Sequence, residues 1–278
     1  MSSSTIKKFL NSPTSLLSSK SLLIRSFSSQ SNGNFRNYNK FELFEKAFDF
    51  VLPPYQPIII RLDGNSFSKL NKQLKLERHD ERFHESMKET SNNLFSHFIG
   101  CKFIYSFSDE INIVIYNQYP DNQFLSNRIQ KLISTTSSIT SLNFSINLSK
   151  KLNNNNNNNN VFSYFDCRAF VLPINEVKDY FIKRQGRCYT NFLSSIASDN
   201  GFNTDSIFNN DSGLDGSKKN IYAREYYLEK QGVNLMEIPE HFKSGFLVFK
   251  NSTNELDYKS PINFKSDTII DYLLNRKN

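Results

Sequence analysis

Tryptophan is absent from this 278-residue chain, and cysteine, histidine and glycine are scarce, at three, four and nine. Cys101, Cys167 and Cys188 are odd in number and far apart, which excludes a disulfide framework and offers no zinc-knuckle spacing. They are expected as buried thiols. His79, His84, His97 and His241 form no HExxH or HxxxH pattern, and no Ser or Cys stands in a recognisable nucleophile motif. Catalytic chemistry must then fall to carboxylates. No stretch approaches the roughly 20 apolar residues of a membrane span, so no membrane role is expected. Nor does an apolar run of about 7–15 residues precede a small-residue cleavage site, as a secretory signal requires. The 26 Phe and 13 Tyr reflect compositional bias more than function.

What is present begins with charge. The chain carries a formal +7, which permits nucleic-acid binding through phosphate neutralisation. Lys7, Lys8, Lys20 and Arg25 supply four of those charges within residues 1–27, a segment without acid. Ser-rich, basic and sprinkled with apolar residues such as Phe9, Leu16 and Leu22, it has the composition of a mitochondrial transit peptide. Arg25-Ser26-Phe27-Ser28 resembles a matrix-protease site. Hydrophobic residues at 38% of the chain suffice for a real core.

Phe41, Phe44, Ala47 and Phe48 recur at helical spacing ahead of Pro53-Pro54, and Ile58 to Leu62 reads as a buried strand stopped by Asp63-Gly64-Asn65. Phe83, Met87, Leu94 and Phe98 share a helix face. Two strands, Lys102 to Phe107 and Ile111 to Tyr116, flank a Ser108-Asp109-Glu110 hairpin. Leu125 to Thr140 is an amphipathic helix leading towards eight consecutive Asn at 153–160, a disordered insertion by composition. Tyr164 to Leu172 is strand again. The fold class expected is α+β, a ferredoxin-like βαββαβ palm, with further C-terminal helices and a strand at Phe246 to Phe249. The layout expected is a leader over 1–37, a catalytic domain over 38–174 and a mostly helical extension over 175–278 packed on it.

In a βαββαβ sheet the first and third strands are antiparallel neighbours, so Asp63 and the Asp109-Glu110 turn should meet at one end although 45 residues separate the two aspartates. Either motif alone is ordinary turn chemistry. Together, two carboxylates and the Gly64 carbonyl can hold two Mg²⁺ through hard oxygens and serve phosphoryl chemistry. The Asp63 to Ser68 loop offers amides to a triphosphate. Glu110 is expected as a catalytic group, either a further ligand or a support behind the ligands.

Arg61-Leu62-Asp63-Gly64-Asn65-Ser66-Phe67 resembles the R-[IL]-D-G-R-x-F segment of the tRNA(His) guanylyltransferases. Tyr105 to Glu110 resembles their Y-x-x-S-D-E, and Phe165 to Pro173 their F-D-[GS]-R-x-x-x-x-P. Arg184-Gln185 and Lys219-Asn220 stand where that family has W-R-Q and K-N. The resemblance runs from about Phe41 to Lys250. It implies a palm working in the 3′-to-5′ direction: a tRNA 5′ end, activated with ATP or already triphosphorylated, is attacked by the 3′-hydroxyl of an incoming GTP or other NTP. It also implies that Asp63, Gly64 and Asp109 bind the metal, that Asn65, Ser66, Phe67, Ser68 and Ser108 touch the nucleotide, and that Lys219 meets a triphosphate. A homotetramer is implied as well.

Tyr189-Thr190-Asn191-Phe192 replaces the H-I-N-N of enzymes dedicated to tRNA(His), Lys183 replaces the Trp of W-R-Q, and Asn65 the Arg after Asp-Gly. These departures resemble the guanylyltransferase-like proteins, some of which repair truncated tRNA 5′ ends. Two other readings stay open: a palm-fold nucleotide cyclase using the same carboxylates, and a tRNA-binding relative without activity.

Overall fold

The computed structural model describes residues 40–117, 123–153, 160–202, 224–226, 228–266 and 268–275. The expected leader over 1–37, most of the Asn run, and Lys219 lie outside the described residues. The chain divides into two compact units, Met1–Phe50 and Val51–Asn278. In the first, helix α1 (Lys40–Lys46) exposes Phe41, Leu43 and Phe44.

The second unit is built on β1 (Ile58–Gly64), α2 (Phe67–Leu74), α3 (Glu81–His97), β2 (Cys101–Phe107), β3 (Glu110–Ile115), α4 (Ile129–Leu152), β4 (Phe165–Val171), α5 (Val177–Asp199), α6 (Glu240–Ser244), β5 (Phe246–Lys250), β6 (Leu256–Lys259) and α7 (Ile269–Asn275). All neighbouring strands pair antiparallel, in the order β4-β1-β3-β2-β5-β6. The segment expected as a mostly helical extension therefore gives two strands to the same sheet.

Strand alternation sorts the core into two layers. Ile58, Ile60 and Leu62 of β1 pack with Met87 and Leu94 of α3 and with Leu132, Phe144 and Leu148 of α4. Ile59 faces the opposite layer with Phe103, Tyr105, Phe181 of α5 and Leu273 of α7. With helices on both faces, β2 and β3 are buried along their whole length, and the polar residues they carry, Lys102, Ser106, Glu110 and Asn112, are buried with them.

A row of serines fixes the entry to β4. Ser137, Ser141, Ser145 and Ser149 recur every fourth residue of α4 and so line one helix edge. Ser137 Oγ donates to the Phe165 carbonyl at 2.5 Å, and Ser141, Ser145 and Ser149 accept from the amides of Phe165, Ser163 and Val161 at 3.2, 3.0 and 3.0 Å. The returning chain is hydrogen-bonded without a strand partner.

At the other end, Gly245 (φ +73°) passes so close to β2 that a Cβ there would lie 2.7 Å from the Ser106 carbonyl oxygen. The same approach lets the Tyr105 hydroxyl donate to the Ser244 carbonyl at 2.8 Å. Gln185 of α5 bridges this corner, donating to the Ile262 carbonyl and accepting from the Phe264 amide.

Candidate active site

The pairing of β1 with β3 sets Asp63 opposite Glu110, and the pairing with β4 sets Asp63 opposite Asp166. Asp109 lies in the two-residue turn between β2 and β3. Its carbonyl accepts the Gly64 amide at 3.1 Å, so the end of β1 and the hairpin are joined by backbone. The expected meeting of Asp63 with the Asp109-Glu110 turn is what the register produces.

Backbone conformation here is under strain. Ser108 has φ 48° and Ser66 has φ 60°, left-handed values that a residue with a Cβ adopts only when its surroundings demand it. Both flank the carboxylates. Ser108 Oγ donates to Asp109 Oδ1 at 3.2 Å, and Ser66 Oγ to Asn65 Oδ1 at 3.0 Å.

Gly64 is needed for space. A Cβ on it would stand 2.6 Å from Phe67 Cγ and 2.8 Å from Asp109 Oδ2. Gly64→Ala must therefore displace the Asp109 carboxylate or the buried Phe67 ring. It is expected to reduce turnover roughly tenfold to a hundredfold, as an ångström-scale misplacement of a reacting group does. Steady-state kinetics, with a thermal melt to show that the variant is folded, would check this.

Burial, and then the neighbouring charge of Asp63, push the Asp109 carboxyl up to about 6. A divalent cation would relieve both effects by supplying positive charge where two carboxylates converge. With the Gly64 carbonyl, the donors are all hard oxygens, which suit Mg²⁺.

Of the two roles expected for Glu110, a further ligand or a support behind the ligands, the surroundings fit the second. The residue is buried, and both its oxygens are occupied: Arg184 Nε donates to Oε1 at 2.8 Å, Arg184 Nη2 bonds Oε2, and Asn112 Nδ2 donates to Oε1 at 2.8 Å. Tyr180 extends the network, donating to Asn112 Oδ1 at 2.7 Å. Glu110 therefore supports the carboxylate site from behind. Phe67 is 3% exposed and packs edge-on against Phe83 and Phe165, so core packing fixes its ring where it also borders the cleft lined by Ser108 and Asp109.

Asn65, Ser66 and Ser68 are exposed. The last, expected at the end of a loop, lies in the first turn of α2, and the start of such a helix carries N–H groups without intrahelical acceptors. Ser68, Ser108 and Asp109 line a cleft of about 620 Å³ whose walls include Lys72, Arg78, His79, Asn191 and Phe192. His79, His84 and His241 also border it, and burial lowers the pKa of all three, that of His84 to about 3. Sequence reading missed the Glu110 to Arg184 pair. Arg184-Gln185 had stood out as a motif match, but no local signal joins partners 74 residues apart.

Known proteins resemble this chain in sequence and in fold. A family model for tRNAHis guanylyltransferase matches residues 38–173. A tRNA(His) guanylyltransferase of Neurospora crassa is 26% identical over 222 residues, covering 75% of this chain and 72% of its own. A bacterial tRNA(His) guanylyltransferase-like protein, solved in complex with ATP, superposes with a TM-score of 0.71 at 26% identity, over 85% of this chain and 98% of that one. The tRNA(His) guanylyltransferase of Saccharomyces cerevisiae shares the fold, with a TM-score of 0.62 at 20% identity over 81% and 97%. The chain, an enzyme of mixed helix and antiparallel sheet, belongs to the tRNA(His) guanylyltransferase family of nucleotidyltransferases.

Proposed function

We propose that this protein adds nucleotides to the 5′ end of tRNA in the 3′-to-5′ direction, at a two-Mg²⁺ site held by Asp63, Asp109 and the Gly64 carbonyl. The observation that carries the reading is the Gly64-to-Asp109 junction, where two carboxylates converge beside a cleft. Support for the ferredoxin-like palm comes from the antiparallel β4-β1-β3-β2 order with helices between β1 and β2 and between β3 and β4. Bound there, Mg²⁺ would supply Lewis-acid stabilisation of phosphate charge.

The chain's own residues have distinct parts. Asp63 and Asp109 provide negative charge at the strand ends, and Ser108 orients Asp109. Asn65, Ser66, Ser68 and the first amides of α2 present donors to a triphosphate. Lys219, outside the described residues, is the proposed further triphosphate contact. Arg184 holds Glu110 as an ion pair, so the third carboxylate adds little repulsion. The complex of a relative with ATP supports ATP as the 5′-activating substrate, with GTP or another NTP as the nucleotide added.

The replacement of H-I-N-N by Tyr189-Thr190-Asn191-Phe192 favours repair of truncated tRNA 5′ ends over a strict tRNA(His) role, and the leader composition favours mitochondrial tRNAs. Assembly as a homotetramer belongs to the same proposal. The test is incubation of the purified full chain with Mg²⁺, ATP, each NTP in turn, and tRNA(His) or 5′-truncated tRNAs. A tRNA lengthened at its 5′ end and dependent on Mg²⁺ is expected. Cyclic nucleotide from NTP alone would replace the reading with a cyclase, and metal-independent tRNA binding without product would replace it with an inactive relative.

A further inference from the structure

A second set of ligand-type side chains is built from α3 and α6, with two of its three members, His84 and His241, bordering the cleft. Glu81 and His84 lie three residues apart in the first turn of α3 and so share a face. His241 comes from α6. One ligand atom of each lies within 4.8 Å of the other two. His241 Nε2 stands 3.2 Å from Glu81 Oε1, yet this buried nitrogen lacks a hydrogen bond of proper alignment. The His84 and His241 rings stack with centroids 3.7 Å apart, and His84 Nε2 has the Tyr258 hydroxyl only at 3.5 Å.

We propose that Glu81, His84 and His241 bind a zinc-class divalent cation, at a site separate from the Asp63 and Asp109 carboxylates. Two imidazoles and a carboxylate favour Zn²⁺, whereas Mg²⁺ prefers all-oxygen surroundings. With metal–ligand bonds of about 2.0–2.1 Å, a tetrahedral site has ligand–ligand edges of about 3.3 Å. The Glu81 to His241 separation already has that length. His84 completes the set by a ring rotation that unstacks it from His241, because one ion cannot lie in the planes of two parallel rings. Three protein ligands leave the fourth position to water from the cleft.

The ion would act as a tie. α6 runs through Gly245 straight into β5, and α3 leads to β2, so a metal shared by the two helices joins the start of α3 to the corner where β5 enters the sheet.

The test uses the full chain carrying Asp63→Asn and Asp109→Asn, which removes the competing carboxylates. Zn²⁺ is added in a calorimetric titration, and Co²⁺ serves as a spectroscopic probe. Expected are one saturable Zn²⁺ per chain, the intense visible absorption of tetrahedral Co²⁺, and a higher melting midpoint with Zn²⁺. Both His241→Ala and Glu81→Gln should weaken binding by at least about tenfold. If His241→Ala fails to fold, Glu81→Gln still reports, since its carboxylate is 56% exposed. Absence of saturable binding, a weak octahedral Co²⁺ spectrum, or affinity unchanged by Glu81→Gln would overturn the site. None of these results depends on nucleotide transfer.

Discussion

Asp109→Asn is expected to lower kcat/KM for nucleotide transfer by at least about 10³-fold while making the metal-free protein more stable near neutral pH. The first effect follows from the proposed role of Asp109 as one of two anionic metal ligands. The second follows from the environment that makes the residue useful, since burial and Asp63 lift the Asp109 carboxyl from 3.8 to about 6. Between those values the unfolded chain has released its proton and the native chain has kept it. The unfolded state then binds fewer protons, so stability falls as pH rises through the window and stays lower above it. A carboxyl moved from 3.8 to about 6 would correspond to roughly 3 kcal/mol at full burial. The carboxylate is partly open to the cleft, and screening brings the gain expected for Asn to about 1–2 kcal/mol. Denaturant unfolding in EDTA should show that gain at pH 7 and its disappearance towards pH 4. A variant that transfers nucleotides within tenfold of wild type would remove Asp109 from the metal site.

Arg184→Ala is expected to destabilise the fold by about 3–5 kcal/mol, the range for breaking a buried pair, with a melting midpoint lower by roughly 10 °C. The Arg184 and Glu110 side chains are 11% and 6% exposed. Removing the guanidinium leaves Glu110 charged in a dry layer with Asn112 as its remaining donor. Activity should fall as well, because Glu110 stands beside Asp63 in the sheet and its unneutralised charge would add to the repulsion there. Arg184→Lys should recover only part of the stability, since an ammonium cannot reproduce the two-pronged contact. Adding Glu110→Gln to Arg184→Ala should restore stability relative to the single variant. Equal midpoints for single and double variants would show that the pair is not what Arg184 contributes.

The antiparallel pairing of β1 with β3 and the meeting of Asp63 with the Asp109-Glu110 turn were legible because both rest on local rules: apolar strand runs and the turn residues that end them. What stayed hidden depends on distant contacts. Glu110 reads as a hairpin residue until α5 is laid across the sheet and brings Arg184 to it. Phe67 follows Asp-Gly-Asn-Ser, a loop-like run, yet starts a helix because its ring fills the gap between Phe83, Phe144 and Phe165. Strand β6, with the sequence Leu-Asp-Tyr-Lys, is too short and too polar to announce itself without β5 as its partner. The apolar spacing of α4 marked the helix, but its serines carried no such signal. Their hydroxyls become informative only once the returning chain lies alongside.

That row of serines has an evolutionary consequence. Ser149 and Ser145 fasten the chain at Val161 and Ser163, directly after the run of Asn at 153–160, while α4 reaches Leu152 directly before it. Both stems of the insertion are thus anchored before β4 begins, and closing a longer loop between fixed ends adds only about 0.6 kcal/mol per doubling of its length. Slippage that lengthens or shortens an Asn repeat would fall between these anchored stems, without shifting Asp166 or the register of β4 on β1. Alleles differing in asparagine number should therefore be nearly neutral, which allows such a tract to persist between α4 and β4.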